Sequence, residues 1–164
     1  MKISQILVIG GAGYVGSHFS LYAANCGLNV TVMDNLSKGH RSALRDSQFI
    51  EDDLLNYDNI LKHLSENRYD AIFHFAASCL VGESVSDPAQ YYRNNVLAAF
   101  NMLEAMRHTG HDRVVFSSTC AVYGYPATTG MMIRYGQDPA LTKKLLHARS
   151  RPGAITPRDN FQIH

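Results

Sequence analysis

The 164-residue sequence lacks any apolar run that approaches the roughly 18 residues of a membrane-spanning helix. Its N-terminus also lacks a basic stretch followed by the apolar core of a secretion signal. These absences predict a cytoplasmic protein with no membrane partner. Three cysteines, Cys26, Cys79 and Cys120, are too widely spaced and too few for a disulfide framework or a zinc knuckle, and we interpret them as reduced packing residues.

Strong net charge is also missing. The formal net charge is +1, which gives no reason to expect nucleic acid as a partner. The charges are unevenly distributed, because residues 1–130 hold 9 basic and 12 acidic side chains whereas residues 131–164 hold 6 and 2. The character of the chain therefore changes near residue 130.

The eight histidines form no recognisable metal site. His108 and His111 are three residues apart, but no matching carboxylate pair and no third ligand accompany them. Both lie at the end of a predicted helix, before a predicted strand, so we interpret them as a solvated helix terminus. We predict no metal.

Short apolar runs rich in valine, isoleucine and phenylalanine dominate what the sequence does contain. They predict buried strands at residues 6–9, 30–33, 71–75 and 113–116, with a weaker strand at 48–51. Helical patterns lie between them, at residues 14–26, 56–66 and 88–108. This alternation predicts an α/β protein with a Rossmann-type, doubly wound parallel sheet.

The residues after Tyr125 differ from this pattern. Glycine and proline interrupt them, and they contain no convincing strand. We expect at most one amphipathic helix, at residues 138–150, and an unstructured tail over the last 14 residues. The sequence predicts a Rossmann domain over residues 1–126 and a divergent segment, out of frame or disordered, over residues 127–164.

A glycine-rich turn follows the first predicted strand and opens the first predicted helix. It runs Gly10-Gly11-Ala12-Gly13-Tyr14-Val15-Gly16. Its glycines allow a tight turn, close approach of the main chain to a pyrophosphate, and close packing of helix on strand, while the helix N-terminus presents unpaired amides. In this context the pattern predicts a dinucleotide site.

Asp34 ends the second predicted strand, 18 residues after Gly16. A carboxylate at this position accepts hydrogen bonds from an adenosine ribose and repels a 2′-phosphate, so NAD is favoured over NADP. An ordinary strand-end aspartate that caps the turn is the alternative. Lys38 and Arg41 nearby leave a smaller chance for NADP.

Four further segments make the pattern more specific. They are Asp34-Asn35-Leu36-Ser37-Lys38-Gly39, His74-Phe75-Ala76-Ala77 through Val81-Gly82-Glu83-Ser84, Tyr91-Tyr92-Arg93-Asn94-Asn95-Val96, and Phe116-Ser117-Ser118-Thr119-Cys120-Ala121-Val122-Tyr123-Gly124. In their order and spacing they resemble the UDP-glucose 4-epimerase family, which belongs to the extended short-chain dehydrogenases/reductases. The resemblance spans residues 1 to about 126.

This resemblance implies an NAD site. Tyr14 and Val15 would give main-chain contacts to the pyrophosphate, and Asn94 would hold the helix and loop beside the cofactor. Cys79 departs from the pattern, since some members have a lysine there that reaches the cofactor. The implied cofactor-binding residues are Gly10, Gly13, Tyr14, Val15 and Gly16 at the phosphates, Asp34, Asn35 and Ser37 around the adenosine ribose, Asp53 and Leu54 along the adenine, Phe75, Ala76 and Ala77 near the nicotinamide ribose, and Asn94.

The resemblance also implies a reaction, the NAD-dependent interconversion of UDP-glucose and UDP-galactose. Thr119 is the implied catalytic residue, because the family has a serine or threonine there that hydrogen-bonds the sugar hydroxyl and helps to pass its proton to a tyrosine. That tyrosine belongs to a Tyr-x-x-x-Lys pair. None of the nine tyrosines here has a lysine four residues later.

We therefore expect an incomplete chain with a truncated sheet. The codons of Met131-Met132-Ile133 read Asp-Asp in the frame one base earlier, and the family has an acidic segment in this region; we hypothesise that residues from about 130 are out of frame. The resemblance implies a UDP-hexose substrate and a homodimer. The alternatives are a non-catalytic NAD-binding remnant and another NAD-dependent sugar-nucleotide epimerase or dehydratase, although Cys120 and Ala121 replace the acidic residues typical of dehydratases.

Overall fold

The computed structural model describes residues 3–45 and 47–118 of the chain. The predicted catalytic residue Thr119, the predicted boundary at 126, and residues 127–164 lie outside the described residues. Within the described residues, no helix is long and apolar enough to cross a membrane.

Five parallel strands form one sheet. They are β1 (Gln5–Ile9), β2 (Asn29–Asp34), β3 (Gln48–Glu51), β4 (Ala71–His74) and β5 (Val114–Phe116). The helices are α1 (Tyr14–Asn25), α2 (Tyr57–Glu66), α3 (Val81–Ser86), α4 (Pro88–Tyr92) and α5 (Ala98–Thr109). A 3₁₀ turn covers Arg41–Ala43, and a π-helical turn, Arg93–Leu97, joins α4 to α5.

The strand order is β3-β2-β1-β4-β5, which confirms the predicted Rossmann-type, doubly wound sheet. The chain builds outward from β1 to β3, then returns to the other side of β1 with β4. The order therefore reverses between β1 and β4. In open parallel sheets ligands bind outside the carboxyl ends of the strands at such a reversal, which locates the expected site.

The central strand is buried because helices cover both faces of the sheet. Successive side chains of β1 point to opposite faces, so Leu7 packs with Ile60 and Met102 on the α2–α5 side. Ile6 and Val8 pack instead with Ala23 on the α1 side. These two apolar clusters fix the sheet beneath the loops that form the candidate site.

The third predicted helix, residues 88–108, differs from the structure in an informative way. Asp87 caps its start through a hydrogen bond from the Gln90 amide, 3.1 Å long, and Gly110 ends it with a left-handed φ of +72°. Between these ends the π turn interrupts the α-helical pattern. The short helix α3 was not predicted, because six residues are too few to show an apolar period.

Candidate functional site

The glycine turn leaves β1 in a conformation that only glycine adopts readily. Gly10 has a φ of +76°, and its amide donates a 2.8 Å hydrogen bond to the carbonyl of Met33. A Cβ added to Gly10 would lie 2.5 Å from the main-chain nitrogen of Ala76. The turn is therefore pressed against the main chain that follows β4.

Gly16 and Gly13 lack a side chain for two different reasons. A Cβ on Gly16 would overlap the carbonyl of Gly10, so α1 and the end of β1 pack main chain against main chain. A Cβ on Gly13 would meet only the Gly10 carbonyl oxygen, at 3.4 Å, and Gly13 lines the pocket described below. The first turn of α1 contains no acidic side chain and no side-chain cap, which suits an anionic group at its N-terminus.

Asp34 ties the glycine turn to the end of β2. One carboxylate oxygen, Oδ2, accepts from the Ala12 amide at 2.9 Å, and the other, Oδ1, accepts from the Leu36 amide at 2.8 Å. Leu36 is held at a left-handed φ of +57°, a conformation that residues other than glycine rarely adopt. Asp34 therefore caps the turn, as the alternative interpretation expects. Each of its carboxylate oxygens can still accept a further hydrogen bond from a ligand.

An open pocket lies at the reversal between β1 and β4. Its acidic lining residues are Asp34, Asp52 and Asp53, and its basic lining residue among those described is Lys38, whose ammonium lies 3.2 Å from a carboxylate oxygen of Glu83. The full lining consists of Ile9, Gly10, Gly13, Met33, Asp34, Asn35, Ser37, Lys38, Gly39, Asp52, Asp53, Leu54, Phe75, Ala76, Ala77, Ser78, Asn94 and Ala98.

One wall of the pocket is a short polar network. The Asn35 side-chain amide donates to Asp53 at 2.9 Å, and its oxygen accepts from the Ser37 amide at 3.0 Å. Asp53 in turn accepts from the Leu55 amide at 2.8 Å. The loops after β2 and β3 are therefore joined by side chains that were predicted from the resemblance to surround the adenosine.

The opposite wall is the segment after β4, residues 75–78. It is held by the helix that crosses it: Asn94 donates to the Ser78 hydroxyl at 3.1 Å, and Asn95 bonds both main-chain groups of Ser78. Asn95 was not predicted. The doubled asparagine in the sequence was the available signal, but its contacts join residues 17 positions apart and leave no trace in local spacing.

The structure brings most of the predicted site residues into one pocket. Gly16 does not line it and packs instead against the Gly10 carbonyl. Tyr14 and Val15 do not line it either, and their side chains are 83% and 57% exposed. A main-chain role for these two stays a prediction. Those that line the pocket are Gly10, Gly13, Asp34, Asn35, Ser37, Asp53, Leu54, Phe75, Ala76, Ala77 and Asn94.

His74 lies buried at the carboxyl end of β4. Its ring stacks on Phe116 of β5, with ring centroids 4.6 Å apart, and no described residue hydrogen-bonds its Nε2. Burial, which penalises the charged ring, lowers the pKa of His74 to about 4 from 6.5. The ring is therefore neutral at physiological pH, and no sequence pattern indicated this.

Two interpretations of single residues need correction. His111 is not part of a solvated helix terminus, since it is 7% exposed and its Nε2 accepts from the Tyr69 amide at 3.3 Å. Cys26 and Cys79 are exposed rather than packed, because the first caps α1 and the second lies in the loop after β4. Among the described residues no three histidine, cysteine, aspartate or glutamate side chains form a group that could hold a metal ion.

Comparison with known proteins gives a consistent result. The model of the NAD dependent epimerase/dehydratase family matches residues 6–149. A UDP-glucose 4-epimerase of Rhizobium leguminosarum bv. trifolii is 42% identical over 139 residues, which is 85% of this chain and 42% of that protein. The chain thus spans less than half the length of this relative.

Solved structures give the same picture. The UDP-glucose 4-epimerase of Brucella ovis in complex with NAD has a TM-score of 0.71 and 46% identity, over 77% of this chain and 39% of that chain. The UDP-glucose 4-epimerase of Bifidobacterium longum in complex with NAD⁺ and UDP has a TM-score of 0.70 and 30% identity, over 77% and 40%.

Proposed function

This chain belongs to the NAD dependent epimerase/dehydratase family, and we propose that it binds NAD and serves the interconversion of UDP-glucose and UDP-galactose. The observation that carries the proposal is the glycine turn joined to Asp34 at the reversal of the sheet. We also propose a cytoplasmic location, as expected from the sequence, and a place in galactose metabolism, as the resemblance implies.

The phosphate end of the pocket fits a dinucleotide. Gly13 has no side chain between the turn and the pocket, and the N-terminus of α1 carries unpaired amides beside it. Asp34 already orders the turn and retains lone pairs for ribose hydroxyls. Because its carboxylate would repel a 2′-phosphate, the site favours NAD over NADP.

Bound NAD would supply the hydride acceptor and donor for epimerisation at C4 of the hexose. The chain's own contribution at this end of the pocket is placement. Phe75, Ala76 and Ala77 form a mostly apolar wall that limits water, and Asn94 bonds the neighbouring Ser78 hydroxyl. We propose that this wall faces the nicotinamide ribose.

Thr119 remains the proposed catalytic residue, on the strength of the Ser-Ser-Thr segment after β5. Its hydroxyl would hold a hydrogen bond to the sugar hydroxyl that loses its proton. The sequence contains no Tyr-x-x-x-Lys pair to receive that proton. This observation favours a second candidate function, an NAD-binding chain without epimerase turnover.

Calorimetry on the purified 164-residue chain, followed by an assay of UDP-glucose and UDP-galactose interconversion, separates these functions. NAD binding with turnover supports the epimerase, and NAD binding without turnover supports the second candidate. Asp34→Asn should raise the Kd for NAD about tenfold and reduce the preference for NAD over NADP. Asp70→Asn makes the same charge change at the opposite end of the sheet, where Asp70 accepts from Ser4 and Gln5 amides, and should leave the Kd unchanged.

The helical segment formed by α4, the π turn and α5 also supports a homodimer. Tyr92, Val96, Phe100 and Leu103 follow one another at helical spacing, and all four are exposed, with Phe100 at 58%. We propose that a second copy covers this stripe, as the resemblance implies.

Sedimentation velocity tests the dimer. Phe100→Asp should shift the chain to monomer, because a carboxylate would be buried in the interface. Tyr22→Asp, which changes an aromatic side chain that is 69% exposed on α1, is the matched control and should leave the dimer intact. A wild-type chain that is monomeric at all concentrations would contradict the proposal.

A further inference from the structure

The helix that crosses the pocket carries two adjacent asparagines that reach the same residue. In an α-helix successive side chains diverge by about 100°, so neighbours in sequence rarely share a target. Asn94 and Asn95 lie in the π-helical turn, and both contact Ser78. Single π turns inside helices recur at functional sites.

Asn95 bonds the main chain of Ser78 in both directions. Its Oδ1 accepts from the Ser78 amide at 2.8 Å, and its Nδ2 donates to the Ser78 carbonyl at 2.9 Å. Asn94 donates to the same Oδ1 at 3.1 Å, which fixes the orientation of the Asn95 amide. Ser78 thus obtains from one side chain the pairing that a neighbouring strand would otherwise provide.

The same helix repeats this arrangement two residues further along the loop. The Tyr91 hydroxyl accepts from the Leu80 amide at 3.1 Å and donates to the Leu80 carbonyl at 2.7 Å. Both contacts address main-chain atoms, and the side chain of Cys79 between them is exposed. The main chain of the loop is therefore held by the helix at both Ser78 and Leu80.

Ser78 lines the pocket together with residues 75–77, whereas Asn95 is not among the described lining residues. We propose that Asn95 is a positioning residue for the dinucleotide: it fixes the main chain of Ser78 and, through it, the pocket wall formed by residues 75–78. This inference rests on the proposed NAD site. A wall that is ordered before NAD binds does not have to be ordered during binding, so Asn95 increases the affinity for NAD.

Asn95→Asp tests the inference through pH. At about pH 8 the new carboxylate keeps the acceptor for the Ser78 amide but faces the Ser78 carbonyl without a proton to donate, and the Kd for NAD should rise about tenfold. Partial burial and the facing Ser78 carbonyl both favour the protonated form and should raise the pKa of the new carboxyl above its ordinary value. Towards about pH 5 the carboxyl therefore gains a proton that can replace the lost donor, and its Kd should come within about threefold of the wild-type value. Calorimetry at both pH values, with the wild type measured beside the variant, gives the comparison.

Two further variants keep the test decisive. Asn95→Ala removes both bonds without charge, and its Kd should be about tenfold higher at both pH values. Asn67→Asp is the matched control: Asn67 is also half-buried and also donates to a main-chain carbonyl, that of His63 at 2.9 Å, but at the end of α2 far from the lining residues. Its Kd should equal that of the wild type even where its melting temperature is lower.

The outcomes separate the inference from the proposed function. A wild-type chain that does not bind NAD refutes both. If the wild type binds NAD and the two Asn95 variants bind equally well, only the positioning role is refuted. A loss of affinity that Asn67→Asp shares, or that does not recover for Asn95→Asp at the lower pH, shows a general effect on stability and also refutes the role.

Discussion

The two ends of the parallel sheet differ in whether space for a ligand is left beside the main chain. At the amino end, side chains close the structure: the Arg68 guanidinium donates to the carbonyls of Thr109 and Gly110, and Asp70 accepts from two amides at the start of β1. At the carboxyl end, glycines bring main chain against main chain and leave a pocket beside Gly13. Closure at one end provides a rigid base for an open site at the other.

This comparison predicts that added atoms lower the stability of the fold most at the carboxyl end, while removed atoms lower it most at the amino end. A methyl group has no space where main chains touch. A truncated side chain at the amino end leaves buried groups without partners. The four predictions below test this difference, beginning with the largest expected effect.

Gly16→Ala should cost about 4 kcal/mol of unfolding free energy, because its methyl group would overlap the Gly10 carbonyl and neither main chain can move away. Gly82→Ala is the matched control, since a Cβ there meets nothing within 4 Å. It lies in α3 and should gain about 0.5 kcal/mol. Urea denaturation of both variants measures the difference, and equal midpoints would contradict the main-chain contact.

His74→Phe should remove an acid-sensitive part of the stability. The pKa of His74 falls from 6.5 in the unfolded chain to about 4 in the fold, so the unfolded chain binds more protons between these values. Stability is therefore lost as pH falls from 6.5 towards 4, by about 3 kcal/mol in total for this 2.5-unit difference.

Denaturation at several pH values checks the His74 prediction. The phenylalanine variant should keep the stacking on Phe116 and show a shallower loss between pH 6.5 and about 4. His108→Gln, at an exposed histidine on α5, should follow the wild-type curve. A His74→Phe curve parallel to the wild type would show that burial does not suppress protonation of this ring.

His111→Ala should cost about 2 kcal/mol at neutral pH, because the Tyr69 amide would be left buried without its acceptor. Burial is the first cause of the lowered pKa of His111, followed by the charge of Arg68, so the ring that accepts this hydrogen bond is neutral. His108→Ala, at an exposed position of α5, should cost much less. Equal melting temperatures for the two variants would contradict the structural role of His111.

Tyr69→Phe is the smallest change and should cost about 1 kcal/mol, the worth of the one hydrogen bond that joins its hydroxyl and His63 Nε2, 2.8 Å apart. Its Kd for NAD should not change, because Tyr69 belongs to the amino end. Tyr22→Phe, on an exposed face of α1, should have no effect on either quantity. A weaker NAD affinity for Tyr69→Phe would show that the two ends are coupled.

The features that could be predicted from the sequence depend on residues that lie close together along the chain. The glycine turn and Asp34 lie within one βαβ unit, and the apolar runs of β1 and β2 are contiguous, so spacing alone located them. The parallel, doubly wound sheet followed from the alternation of strands and helices. These local signals were enough to define half of the pocket.

The features that escaped prediction depend on long-range contacts. His111 is buried because the Tyr69 amide, 42 positions earlier, needs an acceptor, and nothing near His111 in the sequence indicates this. Asn95 meets Ser78 only because a π turn interrupts the helix. Exposure of Cys26 and Cys79 likewise depends on how the ends of α1 and β4 are placed.

The central position of β1 has a consequence for the order in which the protein can assemble during translation. Of the five described strands β1 is synthesised before the others, and its pairing with β2 joins residues 24 positions apart, such as Gln5 and Asn29. Its other edge must wait for β4, since Ile6 pairs with Ala71, 65 positions later. A nascent chain therefore carries a half-paired strand, apolar at residues 6–9, until β4 has left the ribosome, and this interval is when it most needs protection from aggregation.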